Sequence, residues 1–189
     1  MTKPINRCFW CLNSDIYEEY HDKEWGVPVY DDGKHFEFLL LETMQAGLSW
    51  ITILKRRENY RKAFANFDYN EIAQFDEDKI LKLMDDVGII RNRKKIEAAI
   101  TNAQCFIKLQ KEYSSFNQFI WSFTDGKTIK NTWADRALIP GTTDLSDKIS
   151  KNLKSHGFKF IGSTTIYAYL QAVGIVNDHM IDCFRYNQV

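Results

Sequence analysis

Four residues near the two ends of this 189-residue chain have the types and spacing of a metal site. Cys8 and His21 lie in one segment, His179 and Cys183 in the other. One thiolate and one imidazole from each end make a two-Cys, two-His shell, a normal tetrahedral set for structural zinc with no open position. Such a site would staple the two end segments together. On a helix, His179 and Cys183, four apart, point the same way. Cys11, in a CxxC pair with Cys8, is an alternative ligand, and that pair also admits a redox dithiol. A thioredoxin-like role needs a βαβ context that the flanking sequence lacks. A four-cysteine ribbon is excluded, because Cys105 and Cys183 are both single. The plain alternative is no metal at all.

A second group of residues suggests a pocket. Trp10, Tyr17, Tyr20 and Trp25 crowd into one short stretch of a chain with 14% aromatics. Aromatics are more often core than stacking surface, so the cluster takes its meaning from its neighbours. His35 to Ser49, HFEFLLLETMQAGLS, predicts a helix apolar around nearly its whole circumference, and therefore buried. Glu42 sits in its middle. A carboxylate there is either paired in an ordinary salt bridge or lines a functional pocket, since ionised and alone it would be expensive. Gly47-Leu48-Ser49-Trp50 then breaks the helix, making Leu48 a candidate wedge and Trp50 a candidate pocket wall.

The elements that would position these groups read as helices. Gly157 and Gly162 bracket a turn, and Ser163, Thr164 and Thr165 offer N-cap hydroxyls to a helix whose apolar side includes Ile166, Tyr169, Leu170 and Val173. The pattern is helix, hairpin, helix. Its glycines let the backbone approach another molecule, and free N–H groups at a helix start favour a phosphate. An ordinary helix connector would read the same way. Ile51 to Phe67 predicts a helix whose basic run Lys55, Arg56 and Arg57 is a solvated face. Asp68 to Met84 gives short helices with acidic flanks. Arg91, Arg93, Lys94 and Lys95 open a helix with apolar Ile96, Ile100, Ala103 and Ile107, and are placed to meet a phosphate backbone. Phe116 to Phe123 is a short aromatic helix, Asp125 to Thr143 is the least regular stretch, and Leu145 to Ser155 is helical again. No strand ladder stands out, so the expected class is all-α.

Composition sets outer limits. With 44% hydrophobic residues, three prolines and nine glycines, residues 1–189 can bury a core as one unit, with or without a small lobe. A formal net charge of zero excludes a bulk polyanion binder, so any nucleic-acid contact must come from a local patch. No apolar run is long enough to span a membrane, and the start MTKPINRC lacks a signal-peptide hydrophobic region. The expected location is the cytoplasm, where four cysteines suit metal or plain thiol use better than a disulfide framework.

Several stretches together resemble one family. YHDKEWGVP at Tyr20 to Pro28, LETMQAGLSWITILKRRENYRKAF at Leu41 to Phe64, VGIIRNRKKI at Val87 to Ile96 and GFKFIGSTTIYAYLQAVGIVNDH at Gly157 to His179 are similar to the bacterial DNA-3-methyladenine glycosylase I family. The likeness runs from about Cys8 to Cys183. It implies a helix-hairpin-helix DNA glycosylase fold, with a structural zinc on Cys8, His21, His179 and Cys183. It implies hydrolysis of the N-glycosidic bond of 3-methyladenine in alkylated double-stranded DNA, releasing the free base and leaving an abasic site. The extruded base would be bound by Trp10, Tyr17, Tyr20, Glu42 and Trp50, with Glu42 acting chiefly in recognition and electrostatics. Gly47 and Leu48 would enter the duplex. The Gly157 to Thr165 hairpin, with Gly162, Ser163 and Thr164, would clamp phosphate, and Lys159 would add a contact.

Some positions need separate readings. No lysine stands where a bifunctional glycosylase keeps its Schiff-base nucleophile, so strand cleavage is not expected. Asp178 lies near the place of the catalytic aspartate of many helix-hairpin-helix glycosylases, a residue this family is regarded as lacking. It is read here as the cap of a helix bearing His179 and Cys183, with Asn177 as the alternative cap. Thr43 and Met44 depart from the smaller or different residues common in the family, and Met44 reads as core. The expected working form is a monomer acting at the nucleoid.

Overall fold

The computed structural model describes residues 5–12 and 14–189. A 3-10 turn at Phe9–Cys11 leads into α1, Asp15–Lys23. Next come α2, Asp32–Gln45, α3, Trp50–Leu54, and α4, Arg57–Ala63. Short α5, Tyr69–Ile72, and α6, Glu77–Asp85, precede the long α7, Arg93–Tyr113. The series ends with α8, Phe116–Trp121, α9, Asp144–Ser155, and α10, Ser163–Ala172. The protein is mostly helical, as its periodicities predict.

The core is built around α2. Every residue from His35 to Met44 is buried, with α3, α7, α8 and α10 packed against it. Asp31 caps its start by accepting from the Lys34 amide at 2.8 Å, and Asp32 accepts from the amides of Phe116 and Asn117, fixing α8 to the same end. Three ionisable side chains lie within the buried run. His35 shares a 2.7 Å hydrogen bond with the Tyr169 hydroxyl, and burial pushes its pKa down to about 4, so it is neutral at pH 7. Glu37 accepts from Arg57 at 2.8 Å and Arg61 at 2.9 Å. Glu42 Oε2 is buried with no hydrogen-bond partner among the described residues.

The helix α10 packs on both α2 and α9. Segment 156–162 joins α9 to α10, and Asn102 pins it by accepting from the Lys159 amide at 2.7 Å while donating to the Lys159 carbonyl at 3.1 Å. Beyond α10, Gly174 adopts φ +70, and a Cβ there would lie 2.4 Å from the Pro28 nitrogen. Only glycine lets these two backbones meet so closely. The contact, with Gly26 N–H donating to the Gln171 carbonyl and Val29 N–H to that of Val173, lays the segment after α1 along the end of α10.

Several expectations are corrected. The helix expected over His35 to Ser49 runs from Asp32 to Gln45, and stops because Gly47 takes φ +79. The helix expected over Ile51 to Phe67 is broken into α3, α4 and a turn at Ala65–Phe67, where Ala65, Asn66 and Phe67 all have positive φ. A short strand pair exists: β1, Ile129–Lys130, lies parallel to β2, Val176–Asn177. Arg57 is not on a solvated face, since burial against Glu24 and Glu37 makes it a core ion pair. Lys95 is buried and donates to the Met44 and Ala46 carbonyls, and Arg93 is held by Glu77 and Glu97, so neither presents a free charge to a phosphate. Gly162, not a hydroxyl residue, is the N-cap of α10, because Ser163 turns its hydroxyl to Ser146. Finally, His179 and Cys183 lie in a series of turns rather than a helix, so Asp178 has no helix to cap.

Candidate active site and metal centre

Cys8, His21, His179 and Cys183 converge at a buried point, with one ligand atom from each lying within 4.8 Å of all the others. Cys183 Sγ is 3.4 Å from His21 Nε2 and 3.6 Å from His179 Nδ1, and Cys8 Sγ is 3.6 Å from the same Nδ1. Tetrahedral zinc bonds to sulfur and nitrogen would set these edges at about 3.6 Å. The far side of each imidazole is already occupied. His21 Nδ1 bonds Asp22 at 2.8 Å and His179 Nε2 bonds the Trp25 carbonyl at 3.1 Å, which fixes the tautomers and leaves each near nitrogen as an acceptor facing the centre. Cys183 is held down as a thiolate by the Cys8 thiol, with both imidazoles adding. The cluster could therefore bind a metal ion. Cys11 lies outside it, with its thiol turned to the Cys8 carbonyl at 3.1 Å, and burial raises its pKa to about 12.

The centre abuts a cavity of about 470 Å³. Trp10 and Trp25 serve both, since they line the cavity and their rings lie 5.5 Å from His21 and 4.6 Å from His179, respectively. Tyr17 and Tyr20 enter from α1 and Trp50 from the start of α3. Trp10 meets Tyr17 edge to face at 5.4 Å, Tyr20 and Trp50 are 5.5 Å apart, and the Tyr17 hydroxyl accepts from the Ile51 amide at 2.9 Å. That last bond couples α1 to α3. All five residues expected to bind a base are brought together here.

Glu42 is the chemical exception in this aromatic wall. It is 4% exposed, and its Oε2 is sealed from solvent without a partner. Burial raises its pKa to about 8. The Trp50 indole N–H is likewise buried and unpaired. Unsatisfied polar groups of this kind are rare in a packed interior, and these two belong to residues that line the same cavity.

A smaller hollow of about 190 Å³ shares Glu42, Gln45 and Ala168 with the cavity and is closed by Gly47, Leu48, Thr164 and Thr165. It places the turn after α2 beside the start of α10. Leu48 is 40% exposed there, and nothing lies within 4 Å of where a Gly47 Cβ would be. The ammonium of Lys95 shapes this turn, bonding the Met44 carbonyl at 2.8 Å and that of Ala46 at 2.6 Å. Lys159 and Gly162 lie in the connection between α9 and α10, with Ser163 opening α10.

A structural neighbour settles the kinship. 3-Methyladenine DNA glycosylase I from Staphylococcus aureus superposes with a TM-score of 0.92 at 38% identity, covering 95% of this chain and 96% of that one. The DNA-3-methyladenine glycosylase of Haemophilus influenzae is 48% identical over 94% of this chain and 96% of its own length. DNA-3-methyladenine glycosylase 1 of Escherichia coli K12 is 44% identical over 96% and 97%. The methyladenine glycosylase family matches residues 10–186. This chain belongs to that family.

Within this methyladenine glycosylase, sequence reasoning missed part of the cavity. Gln45, Arg136, Ile139, Ala168, Gln171 and Asp178 all line it. Asp178 is 1% exposed and accepts from the Asn131 amide at 2.6 Å, the Trp133 indole at 2.7 Å, the Tyr167 hydroxyl at 2.5 Å and the Gln171 amide at 2.6 Å. Asn177 is the residue that accepts from the His179 amide, at 3.1 Å. Besides the position of Asp178, a polar Gln171 near the end of α10, after Ile166 to Leu170, was the signal available in the sequence.

Proposed function

We propose that this protein is a monofunctional DNA repair glycosylase that hydrolyses the N-glycosidic bond of 3-methyladenine in alkylated duplex DNA. The observation that carries the reading is the unpartnered carboxylate of Glu42 buried in an aromatic cavity, in a chain of the methyladenine glycosylase family. Methylation at N3 leaves the adenine in DNA positively charged. The rings of Trp10, Tyr17, Tyr20 and Trp50 attract such a base by cation–π contact, and Glu42 accepts from its amino edge. A cationic base near Glu42 also favours ionisation of the carboxyl, which burial alone opposes. Unmethylated adenine offers the same amino edge but no positive charge, and so gains less. The cationic base is a good leaving group, so the bond breaks through an oxocarbenium-like state without a strong general acid, and water adds to the sugar.

The arrangement of α9, segment 156–162 and α10 supports a helix-hairpin-helix grip on phosphate through Gly162, Ser163, Thr164 and Lys159. Gly47 and Leu48, beside the same hollow, would fill the duplex where the base has left; an apolar wedge partly offsets the unstacking cost. Zinc is the metal the two-Cys, two-His set suits best, and its chemistry there is structural, because no coordination position is left open. In this reading residues 1–189 act as one unit, as a monomer in the cytoplasm. Among the described residues, no helix is long and apolar enough to cross a membrane.

Purified protein incubated with methylated duplex DNA should release 3-methyladenine, read by chromatography, and leave 7-methylguanine in place. A metal-replete preparation that binds the DNA but releases no base would defeat the enzyme reading.

A further inference from the structure

The Asp178 carboxylate lies in the cavity wall but has no capacity left to offer. Its Oδ1 accepts from Asn131 and Trp133 and its Oδ2 from Tyr167 and Gln171, at 2.5 to 2.7 Å. A carboxylate has about four acceptor positions in all. Asp178 is therefore saturated and cannot hold a further water. What it does is orient its neighbours. Because a carboxylate accepts and does not donate, Gln171 must turn its amide nitrogen toward Asp178, which removes the usual ambiguity of an amide side chain. The other end, Gln171 Oε1, has no hydrogen-bond partner among the described residues, and Gln171 lines the cavity.

The cavity thus carries two kinds of acceptor on opposed elements. Glu42 on α2 sits among the aromatic rings and is sealed on one oxygen. Gln171 on α10 is neutral, fixed in orientation and anchored to a buried charge. We propose that Gln171 Oε1 holds the water that attacks the sugar, with Asp178 as the residue that positions the amide. This rests on the glycosylase reading above. In the step, the C1′–N9 bonding pair passes to the cationic base, which leaves neutral. A lone pair of the water forms the new C1′–O bond, and the proton lost from that water goes to solvent. The amide accepts a hydrogen bond throughout and takes no proton. Its oxygen dipole, reinforced by Asp178 behind it, also favours positive charge growing on the sugar.

The test compares Gln171→Leu with the wild type in single-turnover release of 3-methyladenine, in affinity for the free base, and in buffer containing methanol. Wild-type release establishes the underlying activity independently; without it the glycosylase reading fails and this one is moot. Given that activity, Gln171→Leu should release base about 10- to 100-fold more slowly, with free-base affinity within about twofold of wild type. In aqueous methanol the wild type should form mostly the water adduct at C1′, and the variant should form methyl glycoside nearer to the proportion of methanol in the bulk. Tyr167→Phe removes a donor to the same Asp178 oxygen but leaves the amide in place, so it should keep the wild-type partition. The proposal is overturned by an unchanged rate, by an unchanged partition in Gln171→Leu, by free-base affinity that falls in step with rate, or by an equal shift in Tyr167→Phe.

Discussion

Glu42 carries a cost that the fold accepts at a single atom. Its pKa of about 8 lies well above the ordinary value near 4.5, so the folded state holds that proton more tightly than the unfolded chain does. Below the unfolded value both states are protonated and nothing is lost. As pH rises from there through about 8, the folded state is progressively penalised for ionising a buried, unpaired group. Glu42→Gln, which cannot ionise, should therefore melt close to wild type at pH 5 and gain on it by pH 9, by about 2–5 kcal/mol. The same variant should retain duplex binding while base release falls by about 100-fold or more. A melting difference independent of pH would show that Glu42 has a partner in solution. Glu42 was legible in the sequence because it sits in the middle of a helix that is apolar around nearly its whole circumference. Asp178 was singled out by position but read as a cap, because its partners Asn131, Trp133, Tyr167 and Gln171 come from segments whose approach no local pattern records.

Among the elements, the junction of α2 with α3 depends most on a remote side chain. The last carbonyls of a helix lack partners within it and carry partial negative charge. Lys95, reaching across from α7, satisfies two carbonyls there and so holds the turn that carries Gly47 and Leu48. Lys95→Met should keep the fold and the affinity for free 3-methyladenine, but slow excision from duplex DNA about tenfold, since a loosened wedge holds the flipped state less well. Excision at the wild-type rate would mean the turn keeps its shape unaided. Periodicity made α2, α7, α9 and α10 readable, and Gly47 marked the end of α2. The basic run from Arg91 to Lys95 misled, because a sequence shows the charge and not the carbonyls that bury it. The turn that follows α4 was equally hidden, since no glycine marks the positive φ values of Ala65, Asn66 and Phe67.

Across the whole molecule, the four-donor cluster and the cavity share their walls. Trp10 and Trp25 meet the imidazoles of His21 and His179 edge to face on one side and wall the cavity on the other. A strong chelator should lower the melting temperature by on the order of 10 °C and weaken free-base binding in the same titration. Cys8 and Cys183 should resist a thiol reagent until the chelator is added, whereas Cys105, buried outside the cluster, should respond no differently. Equal reactivity of Cys8 with and without the chelator would remove the metal from the account. The pairing of the end segments was readable as a donor set, but the aromatic rings shared between the two sites were not.

Cys8 and His179 meet across 171 positions of chain. A contact of such long range forms late, because the intervening helices must be arranged before the ends can find each other. During synthesis, Trp10 and both tyrosines of α1 leave the ribosome early, yet the wall they build leans on a histidine that emerges last of all the aromatic partners. An ion taken up by all four donors would therefore arrive as the cavity is completed. A chain stalled before His179, or clipped behind α10, would keep most of its helices and still be unable to grip a base. A metal held by the four donors would thus couple the onset of base binding to synthesis through Cys183.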